Sequence, residues 1–299
     1  MGSIGASKVN KLLSKLDGYD SRYATAVKSV AEQMHREFPE LNEITTIMVS
    51  DAPDGHDSVI ASMNGLGMLE LNSRYFKDYE ELQRRLENLS YTRYLAGDGS
   101  LENTILAHEF AHNLDNSFGN LVSRYAPGAN EPATEIRNER WAEAYSHALG
   151  RKVNVGDTVT DIPGIDSNKK FLKIGNKTYS YHEFPSDGIS RLIVPTAIQN
   201  VQKNWKKLGF ATQPTERELV SSLSRYSALN QGTKNYAAEI FAESYASHRS
   251  YGSKANVLAQ EVMRLTNQAY KQITSNKSNG SHEFYTKLYA YTAKMRKSS

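Results

Sequence analysis

The sequence predicts an α+β fold, mostly helical, with a small β-rich insertion. Three observations lead there. Apolar residues recur at helical spacing over several long stretches. Residues 44–50 (Ile44, Thr45, Thr46, Ile47, Met48, Val49, Ser50) are largely β-branched and read as a strand. Residues 151–195 change character: Val153, Val155 and Val159, then the run from Phe171 to Tyr181, suggest short strands around a hairpin turn at Gly175-Asn176.

Taken in order, residues 8–38 read as helix, with Leu12, Leu13, Leu16, Val27, Val30, Ala31 and Met34 at helical spacing, and Phe38-Pro39 ends that stretch. A turn is expected from Asp51 to Gly55. Residues 58–71 alternate, and Gly67 to Asn72 looks like a strand just ahead of a helix over 76–90. A strand in that place could be the edge that pairs with a substrate backbone, or an ordinary sheet strand. Gly97-Asp98-Gly99-Ser100 supplies a breaker and an N-cap for the next helix, with Glu102 in its first turn. A loop at Pro127-Gly128 precedes a helix over 132–149. After the insertion, helices are expected over 196–209, 234–250, 253–275 and 281–296. The implied organisation is an N-terminal helical segment (1–40), a first core part (41–150), the insertion (151–195) and a C-terminal helical part (196–299).

Composition excludes several classes. There are 299 residues with net charge +3, and mean hydropathy is −0.60. That charge is too small to argue for a nucleic-acid partner, and the basic tail of Lys294, Arg296 and Lys297 reads as a solvated terminus. No apolar run approaches a membrane span, so no membrane partner is expected, and no secretory signal is visible. A cytoplasmic, virion-associated or non-classically exported location follows as the expectation. The chain has no cysteine, so disulfides and Cys-ligated zinc are both excluded, and any zinc must be held by His and carboxylate. No Gly-rich phosphate loop and no Gly-x-Ser-x-Gly elbow is present.

The chemistry lies at His108-Glu109-Phe110-Ala111-His112. On a helix, positions i and i+4 share a face, so both imidazoles can grip one ion, and Glu109 lies beside them to act on a bound water. This is the HExxH pattern of zinc metallopeptidases. Leu106, Phe110 and Leu114 form a core-facing stripe, while Ala107 and Ala111 leave room around the metal face. The alternative is an amphipathic helix whose histidines merely hydrogen-bond. Asp115 returns to the ligand face and could orient an imidazole. His182-Glu183-Phe184 and His282-Glu283-Phe284 echo the motif without a second histidine and are read as surface.

A catalytic zinc wants three protein ligands and an open position. Two segments offer a carboxylate: Glu239 with Glu243, and Glu139 with Glu143, each pair one helical turn apart. Small and apolar flanks (Ala237, Ala238, Ile240, Phe241, Ala242) favour Glu239, whereas Arg137 and Arg140 suggest a charged outer face around Glu139 and Glu143. Glu243 could support a ligand histidine or be a helix-face charge.

Taken together, His108, Glu109, Phe110, His112 and Asp115, then Ser224 and Tyr226, then Glu239, Phe241, Ala242 and Glu243, resemble the gluzincin metallopeptidases typified by the catalytic domain of anthrax lethal factor and its phage-encoded relatives. The resemblance covers roughly residues 44–120 and 196–275. It implies a zincin-like fold, Zn²⁺ on His108, His112 and Glu239, Glu109 as general base, and Tyr226 as support for the transition state. The substrate would be a protein or peptide. The stretch from His112 to Glu239 is long for the family, which the insertion would explain, and Tyr226 stands further from its glutamate than is usual. A structural or virion-associated protein with little turnover, and a delivered effector or toxin with a narrow target, are the other classes consistent with these residues.

Overall fold

The computed structural model describes residues 11–41, 44–51, 59–125, 134–159, 170–180, 183–185, 187–275, 284, 286–288 and 290–291. The expected turn beyond Asp51, the Pro127-Gly128 loop, His182, His282 and the basic tail lie outside them. Among the described residues the elements are α1 (Ser21–Glu37), β1 (Thr46–Ser50), β2 (Ala61–Met63), β3 (Met68–Asn72), α2 (Tyr79–Tyr91), a π-turn (Leu101–Leu106), α3 (Ala107–Tyr125), β4 (Thr134–Glu135), α4 (Glu139–Leu149), β5 (Thr158–Val159), β6 (Leu172–Ile174), β7 (Lys177–Tyr179), α5 (Ser190–Lys203), α6 (Glu216–Leu223), α7 (Arg225–Leu229), α8 (Tyr236–Tyr251) and α9 (Val257–Thr274). The fold is mixed α and β, with helices dominant and the sheets small.

The chain divides into two units. One comprises Met1–Phe118 with Ser186–Asn267, the other Gly119–Pro185 with Gln268–Ser299. The expected boundary at 150/151 therefore moves to Gly119. Packing gives the reason: α4 buries Ala144, Tyr145 and Ala148 in one cluster with Val153, Val159, Phe284 and Leu288, so it belongs with the β-rich segment. The hairpin at Gly175-Asn176 forms as expected, with Gly175 at φ +60° between β6 and β7. The expected helix over 132–149 shortens to α4, because Thr134–Glu135 pairs with β5 and Asn138 caps the helix by accepting the Trp141 amide.

In the first unit the expected helix over 8–38 breaks after Leu16. Gly18 takes φ +91° and Asp20 starts a new helix by accepting the Arg22 amide at 2.9 Å. The inner face of α1 then buries Tyr23, Val27, Val30 and Met34, and the helix packs on the π-turn. The sheet order is β1-β3-β2, with β1 parallel and β2 antiparallel to β3. The strand over 68–72 is thus central, with both of its ladders occupied, and cannot be the substrate-pairing edge. β2 borders the cleft described below. Ser100 caps as expected, accepting the Asn103 amide at 3.2 Å, but the first turn that follows is π-wound before α3 begins. Leu106, Phe110 and Leu114 are all buried, as their spacing predicts. The helix expected at 196 starts earlier, at Ser190, and runs through Pro195. No expectation covered α6 or α7; α6 opens with a capping box between Thr215 and Glu218. No helix among the described residues is long and apolar enough to cross a membrane.

Candidate metal centre

α3 carries both histidines on one face. Their rings lie 4.9 Å apart in an edge-on arrangement, and the two Nε2 atoms are 3.2 Å apart. The first turn of α8 brings Glu239 to the same point. Its Oε2 lies 3.2 Å from His108 Nε2 and 3.7 Å from His112 Nε2. Among the described residues this is the group of His, Asp and Glu that could hold a metal ion. Donor atoms bonded to a tetrahedral zinc at its usual bond lengths stand about 3.3 Å apart; two of the observed spacings, both 3.2 Å, are close to this and the third, 3.7 Å, is wider. Glu239 Oε2 is buried yet has no hydrogen-bond partner. A buried carboxylate oxygen left without a donor is costly, and a cation between the three side chains would satisfy it. The donor set therefore fits zinc.

The protons are distributed accordingly. Burial works against a charged His108, but the carboxylates of Glu239 and Glu243 outweigh it and hold its pKa well above 6.5. Burial, reinforced by the charge on His108, lowers His112 to about 4. His112 is thus neutral near pH 7 with a lone pair to offer. Burial would raise Glu239, but the two histidines more than reverse this and keep it ionised.

Glu243, one turn after Glu239, is fully buried. Its Oε1 stands 2.8 Å from His108 Nδ1, and its Oε2 accepts the Ala96 amide at 2.6 Å. Both oxygens are satisfied, and the carboxylate fixes which imidazole nitrogen faces the site. Of the two readings open for Glu243, an outward helix-face charge is excluded by its burial, and its contact is with His108.

Asp115 does otherwise. Its Oδ1 accepts the Ser190 amide at 2.7 Å, so it caps α5 and does not orient an imidazole. Gly188, at φ +130°, packs so closely that a Cβ there would fall 2.5 Å from Oδ1. Burial pushes Asp115 up to about 6, only partly offset by its bonds to Ser190. Glu139 is exposed on the first turn of α4, and Glu143 accepts the Tyr291 hydroxyl at 2.6 Å. Of the carboxylates considered for a third position, Glu239 is the one grouped with both histidines.

Tyr226 reaches the site from the short helix α7. Ser224 caps that helix by accepting the Ser227 amide at 3.0 Å. The amides of Arg225 and Tyr226 donate to the carbonyls of Arg93 and Tyr94 at 2.9 and 3.0 Å. The Tyr226 ring stands edge-on to His108 at 5.8 Å. Burial, with the charges of Glu239, Glu109 and Glu243, raises its pKa far above 10, so the hydroxyl keeps its proton. Glu109 is buried and lines the same cleft. That cleft, about 490 Å³, runs between β2, α3 and the first turns of α5 and α8. Sequence reasoning missed its two cations, Arg191 and Lys234, and the Ala96 amide; no local pattern marks any of them.

Comparison of the chain with protein-family models, curated proteins and solved structures finds no match. The gluzincin resemblance therefore stands on the motif residues alone.

Proposed function

We propose that the protein is a zinc-dependent endopeptidase with a zincin-like, gluzincin-type centre. The observation that carries this is the convergence of His108, His112 and Glu239 on one point, with a buried Glu239 oxygen lacking a donor. These three residues would hold Zn²⁺, which when bound supplies a Lewis acid that makes water a better nucleophile at neutral pH and polarises a carbonyl.

The remaining roles fall to the chain itself. Glu243 holds Nδ1 of His108 and leaves Nε2 facing the site. To bind metal, His108 must give up the second proton that its raised pKa lets it keep. Glu109 takes a proton from water as its oxygen attacks the peptide carbonyl, then delivers that proton to the nitrogen as the C–N bond breaks. Tyr226, kept protonated by its surroundings, donates a hydrogen bond to the oxygen on which negative charge develops. The cleft is of a size usual for ligand sites, suited to a short stretch of peptide.

Replacing Glu109 by Gln tests the assignment. The variant should bind zinc with the stoichiometry of the wild type, measured by elemental analysis, and lose peptide cleavage by about a hundredfold or more. Full cleavage by that variant would overturn the reading.

A further inference from the structure

The cleft contains several charged side chains, and nearly all are committed. Glu109 and Glu239 belong to the proposed hydrolytic centre. Asp115 is bound to the α5 backbone. Arg191 is paired with Asp187. Lys234 is the exception: it lines the cleft, is exposed, and makes no ion pair or hydrogen bond among the described residues.

Its position is also electrostatically adverse. Lys234 directly precedes Asn235, the residue at the start of α8. The amino end of a helix carries partial positive charge, so a lysine there lowers stability where an acid would raise it. Asn235 contributes no side-chain cap, and the only acid in the first turn, Glu239, faces the histidines. The Lys234 charge therefore adds to the positive end of α8 with no ion pair among the described residues. Ala237 and Ala238, both small, line the same cleft.

Resting on the peptidase reading above, we propose that Lys234 is a specificity-determining residue that selects peptides carrying an Asp or Glu side chain close to the scissile bond. A substrate carboxylate would supply the counter-charge that the chain itself withholds, whereas a Lys or Arg at the same place would meet like charge.

The test uses the full zinc-loaded chain on a peptide library made by digesting a whole proteome, with cleavage sites read by mass spectrometry. The Glu109→Gln variant defines background. Wild type should show Asp and Glu enriched on the order of fivefold within three residues of the cut bond, an enrichment that shrinks as salt is raised. Lys234→Ala should flatten it at unchanged zinc content, and Lys234→Glu should shift the preference to Lys and Arg. Glu109-dependent cleavage that shows no acidic preference, or one that survives in Lys234→Ala, overturns the role of Lys234 and leaves the peptidase reading standing. No Glu109-dependent cleavage by any variant overturns both.

Discussion

Glu243 and His108 are joined at 2.8 Å, and the carboxylate is anchored on its other side by a backbone amide rather than by a movable side chain. His108 is thus held from behind by a group that cannot turn away.

Glu243→Ala removes that hold. Loss of a partner of this kind lowers metal affinity by about 10- to 100-fold. Competition with a fluorescent zinc chelator reads the change directly. An affinity equal to wild type would mean that α3 alone orients the imidazole.

Tyr226→Phe keeps the ring against His108 and deletes the hydroxyl. If the hydroxyl acts on the developing oxyanion, kcat should fall by about 10²-fold or more, with KM and zinc content near wild type. A fall in zinc content with kcat per bound zinc unchanged would give the hydroxyl a purely structural part.

Protonation should control the metal-free protein in a defined direction. The folded-state pKa of His108 lies above 6.5. Its charged form therefore stabilises the apo fold fully below the unfolded pKa, and this contribution disappears as pH rises through the folded value. Apo wild type should lose melting temperature on the alkaline side of neutrality relative to apo His108→Ala. Zinc affinity should run the other way, weakening about tenfold per unit as pH falls below the His108 pKa, because each ion must displace a proton.

Asp115 gives a second, separable pH effect. Its folded pKa of about 6 lies above the ordinary carboxyl value. Stability from this group is therefore greatest below pH 4 and is lost as pH rises through 6, by about 3 kcal/mol. Denaturant melts should show wild type gaining on Asp115→Asn as pH is lowered from 7 to 4. Gly188→Ala should destabilise by about 2 kcal/mol or more at any pH, since it combines a positive φ with a Cβ forced onto Asp115.

The pair His108 and His112 was readable because both lie on one helix, where spacing alone decides which face they share. Glu239 was readable as the favoured of two candidates from its small and apolar flanks, but its arrival beside the imidazoles was not. The backbone partners of Glu243 and Asp115 were not readable. Ala96 lies 147 positions before Glu243, and Ser190 lies 75 positions after Asp115. The same distance hid the start of α5, whose cap comes from another helix and not from the residue before it. The strand over 68–72 was legible as a strand, but its place at the centre of the sheet depends on which neighbours flank it, and alternation carries no information on that.

The turn from Arg93 to Ala96 ties Tyr226 and Glu243 to one stretch of backbone. Arg93 sits at φ +54°, its carbonyl and that of Tyr94 accept the first two amides of α7, those of Arg225 and Tyr226, and the Ala96 amide holds Glu243. All three attachments are made by peptide groups, and the side chains add to them: Leu95 and Ala96 are buried and the Tyr94 ring lies 5.9 Å from that of Tyr226. Inserting or deleting one residue there would displace Tyr226 and the Glu243 support of His108 together, because both hang on the same stretch of backbone.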